Sequence, residues 1–347
     1  MALAYWAEMT PDRAAVVAPT GNRTFAQLNA RTNQLVRALR RRGVQAGDAV
    51  AIMSMNRSEW IEVYAASLRA GWRLTPVNWH LTGAEAAYIV DDCEAKALVG
   101  DARLGTAVVE AARGASRLTT PLAIGGDMDG FVSYEEALAG EDGQDIDDPA
   151  PGSTMLYTSG TTGRPKGVYR DAPRSVGADE SGYRDGDVHL CTGPLYHGGP
   201  LAVSLHPPLT NGATIVLMEQ WGAEESLVLI DRHRVTHSHM VPTMFHRLLA
   251  LPEETKARYD VSSLRIVWHG AAPCPVPVKR AIIEWFGPVL YEYYSATEGL
   301  GCIVDSKTWL QRPGTVGRPD PPEQVVVGDE EGRPLPPGEV GLLWIQA

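Results

Sequence analysis

This chain has few cysteines, no long apolar run and no excess of basic charge. Its four cysteines, Cys93, Cys191, Cys274 and Cys302, show no paired spacing, which speaks against a disulfide framework or a cysteine-built zinc site and favours a reducing compartment. His237 and His239 alternate like one face of a strand, yet no third ligand has the spacing that zinc requires. No apolar run is long enough to span a bilayer. The opening Met-Ala-Leu-Ala-Tyr-Trp-Ala-Glu lacks the basic start and apolar core of a secretory signal, so the cytoplasm is the simplest home. A net charge of −11 and a pI of about 5.3 argue against a general nucleic-acid binder and leave room for a local basic pocket. No short tandem repeat is present.

What the chain does have is bulk and alternation. Its 347 residues, 44% hydrophobic and 21% charged, suit a globular protein of about two domains. Thr24 can cap a helix whose apolar positions Phe25, Leu28, Leu35, Val36 and Leu39 mostly share a face. Gly43 can end it, and Gly47-Asp48 turns into a strand at 49–53. A helix at about 58–70, a helix at about 82–91 and a strand at 97–99 follow. The alternation resumes later: strands at 213–218, 237–241 and 264–268, with helices at 223–233, 242–251 and 276–286. This pattern predicts mostly parallel sheets covered by helices. From Val316 it changes to short strands, at 324–327 and 338–345, with Gly and Pro turns. The acidic 140–152 stretch reads as a loop, and Arg40-Arg41-Arg42 as a solvated helix end that favours the dipole.

The most informative segment is Tyr157-Thr-Ser-Gly-Thr-Thr-Gly-Arg-Pro-Lys166-Gly-Val168. The apolar run 154–156 leads into it like the end of a strand. Glycines let backbone amides approach a ligand, successive amides form an anion nest, and hydroxyls and Lys166 add donors and charge. The natural guest is a polyphosphate. A Walker-type loop does not fit, because Gly167 rather than Ser or Thr follows the lysine and Pro165 sits where a helix should open.

Four further segments follow in order: Pro194-Leu-Tyr196-His197-Gly198-Gly199, Trp268-His269-Gly270-Ala271-Ala272-Pro273, Tyr294-Ser295-Ala296-Thr297-Glu298-Gly299 and Gly314-Thr-Val-Gly-Arg-Pro319. With the Tyr157–Val168 loop they resemble the signatures of the adenylate-forming superfamily, which includes acyl-CoA synthetases, luciferases and peptide-synthetase adenylation domains. The resemblance covers nearly the whole chain. It implies an α/β fold, with two related α/β lobes of mostly parallel sheets plus a small β-barrel subdomain. The first lobe would cover about 1–150, the second, with the ATP loop, about 151–313, and the start of the β subdomain about 314–347. The end of the chain, Gly341 to Ala347, reads as a strand, so further chain is expected. By resemblance it would bring a ribose-binding Asp, a hinge and a small C-terminal domain with a catalytic Lys. The stretch 169–184 is polar and short where relatives have a helix.

The resemblance also implies roles. Thr158, Ser159, Gly160, Thr161, Thr162, Gly163 and Lys166 would grip the β- and γ-phosphates of ATP. Glu298 would bind Mg²⁺, a cation that takes one or two protein carboxylates plus substrate phosphates; in isolation it reads instead as a helix N-terminal charge. Thr297 would touch the α-phosphate or the adenylate. Tyr294 with Ser295 would face adenine, opposite the thin wall Gly270-Ala271-Ala272, while Tyr291 and Tyr293 read as sheet aromatics. Tyr196, His197, Gly198, Trp268, His269 and Gly299 would line the acid pocket, with core packing an equal reading for Trp268. Amino-acid-activating relatives usually carry an Asp where this chain has His197-Gly198, so the acid is expected to lack an α-amino group.

The implied reaction joins a carboxylic acid, fatty or aryl, to ATP as an acyl-adenylate with release of pyrophosphate, then to the thiol of CoA. A carrier-protein thiol, an unusual acceptor or acid such as nitrite, and a nucleotide-binding relative without turnover are the open alternatives. No nucleic acid enters, and a homodimer is left open.

Overall fold

The computed structural model describes residues 2–158, 164–170, 181–296, 299–319, 321–322 and 325–345. The chain divides into two compact units, Met1–Trp221 and Gly222–Ala347.

The first unit holds strands β1 (Ala14–Val17), β2 (Arg23–Thr24), β3 (Ala49–Met53), β4 (Arg73–Pro76), β5 (Ala95–Asp101), β6 (Thr120–Ile124), β7 (Val132–Ser133), β8 (Ser153–Thr158), β9 (Lys166–Arg170), β10 (Val188–Cys191) and β11 (Thr214–Leu217). Among the described residues, β3 to β9 form one seven-stranded sheet in the order β7-β6-β5-β3-β4-β8-β9. All its pairings are parallel except β8–β9. The strand β3, Ala-Val-Ala-Ile-Met, is buried at every position, as a parallel strand covered on both faces must be. The strands β10, β11, β1 and β2 belong to a different sheet. β11 pairs in parallel with both β10 and β1, and β2 pairs antiparallel to β1. The first strands of the chain are therefore neighbours of strands some 200 residues later.

Local signals in the sequence explain the helices around these sheets. Thr24 caps the helix Phe25–Arg41 in a capping box with Gln27, and Leu28, Leu35, Val36 and Leu39 fill its buried stripe. Thr82 and Glu85 make a second box at the head of the helix Gly83–Asp92. The arginine run at 40–42 is more than a solvated end. Arg40 pairs with Asp148 at 2.7 Å and Arg41 with Glu141 at 2.8 Å, and Arg37 donates to the carbonyls of Asp142 and Gln144. The acidic loop at 140–152 is thus laid along the basic edge of this helix.

The second unit carries β12 (His237–Met240), β13 (Ile266–His269), β14 (Leu290–Ser295), β15 (Leu300–Asp305), β16 (Val325–Gly328) and β17 (Leu342–Ile345). β12, β13 and β14 run parallel, β15 returns antiparallel, and β16 pairs antiparallel with β17. The helices Ala223–His233 and Val276–Phe286 lie where the periodicity puts them. The last strand is shorter than the expected 338–345. Gly338 has φ of +97° and Glu339 closes a turn onto Pro336, so the extended chain starts only at Leu342. Among the described residues no helix is long and apolar enough to cross a membrane.

Candidate active site

The segment Tyr157–Val168 begins and ends in strands. Thr158 closes β8, Lys166 opens β9, and the two face each other in antiparallel register, as do Tyr157 and Gly167. This is a strand–loop–strand arrangement, whereas a Walker loop leads into a helix. Pro165 has no backbone N–H to donate and favours an extended chain around it, which suits the start of an edge strand. Gly167 is needed sterically, since a Cβ there would lie 2.1 Å from the Met155 methyl and 3.1 Å from the Tyr157 ring. Lys166 is exposed and Thr158 half-buried. Ser159, Gly160, Thr161, Thr162 and Gly163 lie outside the described residues.

Tyr196 and His197 follow β10 and open the helix Gly198–Ser204, with His197 as its extended cap residue. Their rings are 4.4 Å apart. Partial desolvation lowers the His197 pKa and the neighbouring His80 lowers it further; a neutral imidazole is therefore the resting form near pH 7. His80 itself stacks on Trp79 at 3.5 Å. A Cβ on Gly198 would stand 3.2 Å from Leu156. The turn carrying His197 is thereby packed against β8, two residues before Thr158.

This turn is held by Asn56, a residue for which sequence reasoning gave no role. The buried Asn56 side chain donates to the carbonyls of Gly193 at 2.9 Å and Met218 at 3.1 Å, and accepts from the Leu195 N–H at 2.9 Å. The available signal was its position just beyond the carboxyl end of β3, the edge where parallel α/β sheets carry their sites.

In the second unit β13 ends at Trp268 and His269, which are only 2% and 0% exposed. His269 meets the Phe245 ring edge at 5.3 Å, and its Nε2 is 3.9 Å from Glu292. Glu292 in turn takes a 2.6 Å hydrogen bond from the buried Lys279 ammonium. Burial, with Lys279 and His239 nearby, holds the His269 pKa well below its ordinary value. Trp268 packs on the Tyr291 ring at 5.2 Å, so both side chains are enclosed in the second unit. His237 and His239 are buried too: His237 Nδ1 lies 2.8 Å from the Thr236 hydroxyl, and His239 Nε2 lies 2.8 Å from the Tyr293 hydroxyl. No cluster of three metal-ligating side chains occurs among the described residues.

Gly270 lies against Tyr293, where a Cβ would come 2.6 Å from the ring. Ala271 has φ of +65°, a strained value for a residue with a side chain, and Ala271 and Ala272 are exposed. Next in β14, Tyr293 is buried, whereas Tyr294 is 42% exposed. The result is a thin segment, exposed at Ala271 and Ala272 and buried at Gly270, and an open aromatic ring at 294. Ala296 and Gly299 exchange backbone hydrogen bonds at 2.8 and 3.3 Å and join β14 to β15. Thr297 and Glu298 fall between them in sequence and lie outside the described residues. The chain after Gly299 continues as a strand, so no helix follows for Glu298 to cap.

The β8–β9 pair of the first unit bounds a loop whose sequence is rich in glycine and hydroxyls. The chain belongs to the AMP-binding enzyme family, which it matches over residues 3–347. It is similar to the indoleacetate–CoA ligase of Aromatoleum aromaticum, 29% identical over 363 residues, covering 100% of this chain and 70% of that protein. The fatty acid–[acyl-carrier-protein] ligase ScoC of Streptomyces coeruleorubidus is 30% identical, with 98% of this chain and 67% of that one covered. Among solved structures, the amide bond synthetase McbA from Marinactinospora thermotolerans superposes with a TM-score of 0.86 at 26% identity, over 100% of this chain and 71% of that one.

Proposed function

We propose that this protein activates a carboxylic acid lacking an α-amino group, aryl or fatty, by adenylation, and then passes the acyl group to the thiol of CoA. The observation that carries the proposal is the β8–β9 hairpin, which sets Thr158 opposite an exposed Lys166 at the two ends of a loop rich in glycine and hydroxyls. In the first step a carboxylate oxygen attacks the α-phosphorus of ATP. The new C(O)–O–P bond forms as the bond to the bridging oxygen breaks, and pyrophosphate leaves. In the second step the thiolate attacks the acyl carbon and AMP leaves.

The residues divide the work. Thr158, Ser159, Gly160, Thr161, Thr162, Gly163 and Lys166 hold the β- and γ-phosphates. Tyr294 and Ser295 face adenine, with Gly270, Ala271 and Ala272 as the opposing wall and Thr297 at the α-phosphate. Tyr196, His197, Gly198 and Gly299 shape the acid pocket, and the buried Trp268 and His269 stand behind its lining. The neutral His197 offers a polar edge without a charge that would anchor an ammonium group. A strand rather than a helix after Gly299 favours the metal role of Glu298 over capping. Mg²⁺ bound there would neutralise charge on the phosphates. The cytoplasm is the proposed compartment.

Pyrophosphate release measured across a panel of aryl, fatty and α-amino acids, with and without CoA, tests the proposal. Acid-dependent release that rises with aryl or fatty acids, with acyl-CoA formed when CoA is added, is expected. Release driven by α-amino acids, or an acyl product that forms only on a carrier protein or an amine, would overturn the respective part.

A further inference from the structure

Both stems of the phosphate hairpin are tied to one face of a single helix. In the helix Gly83–Asp92, Tyr88 and Asp92 stand at i and i+4 and so share a face. Tyr157, one residue before the end of β8, donates its hydroxyl proton to the Asp92 carboxylate at 2.5 Å. Tyr88 donates to the carbonyl of Pro165, immediately before β9, at 3.3 Å. The Arg164 guanidinium lies over the Tyr88 ring, 5.5 Å from its centroid. Each contact lands within one or two residues of the Thr158–Lys166 pair. On the opposite strand Gly167 leaves bare backbone beneath the Tyr157 ring. The helix is itself anchored. Its capping box fixes the N-terminus, Ala86, Ile89 and Val90 are buried, and Gly83 lies against Glu110 and Gly114 against Ala87 too closely for a Cβ at either glycine. Burial raises the Tyr157 phenol pKa, so the hydroxyl keeps its proton and stays a donor.

We propose that Tyr88, Asp92 and Tyr157 are positioning residues, a clamp from this helix to both stems that sets the spacing at which Thr158 and Lys166 meet the polyphosphate. None of the three need touch substrate. Their effect passes through the hairpin, where small misplacements of a binding group are costly in rate. The inference rests on the reading of Thr158 and Lys166 as the polyphosphate grip.

The test compares Tyr157→Phe, Asp92→Ala, Asp92→Asn and the double variant Tyr157→Phe/Asp92→Ala with wild type. Tyr157→Phe and Asp92→Ala should each raise KM for ATP by roughly ten- to a hundred-fold, the scale of one charge-assisted hydrogen bond. KM for the acid should stay within roughly twofold. The double variant should be no worse than the worse single, and Asp92→Asn, which keeps an acceptor oxygen, should recover most of the loss. Amide hydrogen exchange on the nucleotide-free protein supplies a second reading. Exchange should quicken between residues 157 and 167 and stay unchanged in the Phe25–Arg41 helix. Unchanged exchange in that hairpin, or equal rises in both KM values that track loss of melting temperature, would overturn the clamp. If wild type releases no pyrophosphate with any acid, the functional reading fails, and hydrogen exchange still decides the clamp.

Discussion

His239 and His269 are enclosed in the second unit, and burial lowers both pKa values, that of His239 to about 4 from an ordinary 6.5. The unfolded chain therefore takes up protons before the folded one as pH falls. Above pH 6.5 neither state is charged and nothing is lost. Between 6.5 and about 4 stability declines, by up to about 3 kcal/mol for His239 alone. Urea unfolding followed from pH 7.5 to 4.5 should show this decline, and His239→Gln should flatten part of it; a parallel decline in the variant would refute the assignment. Lys166 sits at the other extreme, exposed at the mouth of β9. Lys166→Ala should weaken ATP binding about tenfold or more, the scale of a charge-assisted contact, with the melting temperature nearly unchanged. Calorimetric titration with ATP measures it, and unchanged affinity in a folded variant removes the role. Sequence reading singled out His197 by its neighbours. It could not tell that His239 and Tyr293 would meet, because nothing in either segment records which strands become adjacent.

The site elements are held by parts of the chain with no motif of their own. Asn56 bonds two carbonyls and one amide that fix the approach to His197. Asn56→Ala leaves those buried groups without a partner and should destabilise the protein by about 2–4 kcal/mol, with a rise in KM for the acid. Denaturant titration beside acid-dependent kinetics checks both. Gly270 is a sharper case. Its Cβ would enter the Tyr293 ring, so Gly270→Ala should destabilise by about 1–3 kcal/mol and weaken nucleotide binding by moving the 270–272 wall. Retention of full ATP affinity would show that this wall does not meet the nucleotide. The glycine was legible as part of a motif, but its reason, a tyrosine from the next strand, was not.

For the molecule as a whole the prediction concerns substrate choice. Amino-acid-activating relatives usually carry an Asp at the element where this chain has His197-Gly198, so α-amino acids should give pyrophosphate release near background while aryl or fatty acids drive it. Ranking rates across that panel checks this, and efficient activation of a standard amino acid would overturn it. Within the first unit the sheets do not follow chain order: β1 lies outside the sheet of residues 49–170 and pairs with β11, and β2 pairs with β1.

Sequence alone determined the α/β alternation, the helices after Thr24, at about 58–70 and at about 82–91, and the family of the phosphate loop. Those rest on local signals: helical and strand periodicity, capping residues, and glycines crowded beside hydroxyls. Only the tertiary structure decided that the strand after Pro165 returns antiparallel to β8, that the basic helix end grips the acidic 140–152 loop, and that Asn56 bonds the turn before His197 while Tyr88 and Asp92 bond the two stems of the β8–β9 hairpin. The last two depend on residues far apart in the chain coming within hydrogen-bonding distance, as Tyr157 and Asp92 do across 65 positions. Periodicity and motif describe a segment against its own neighbours, whereas such contacts are set by which strands and helices finally pack together.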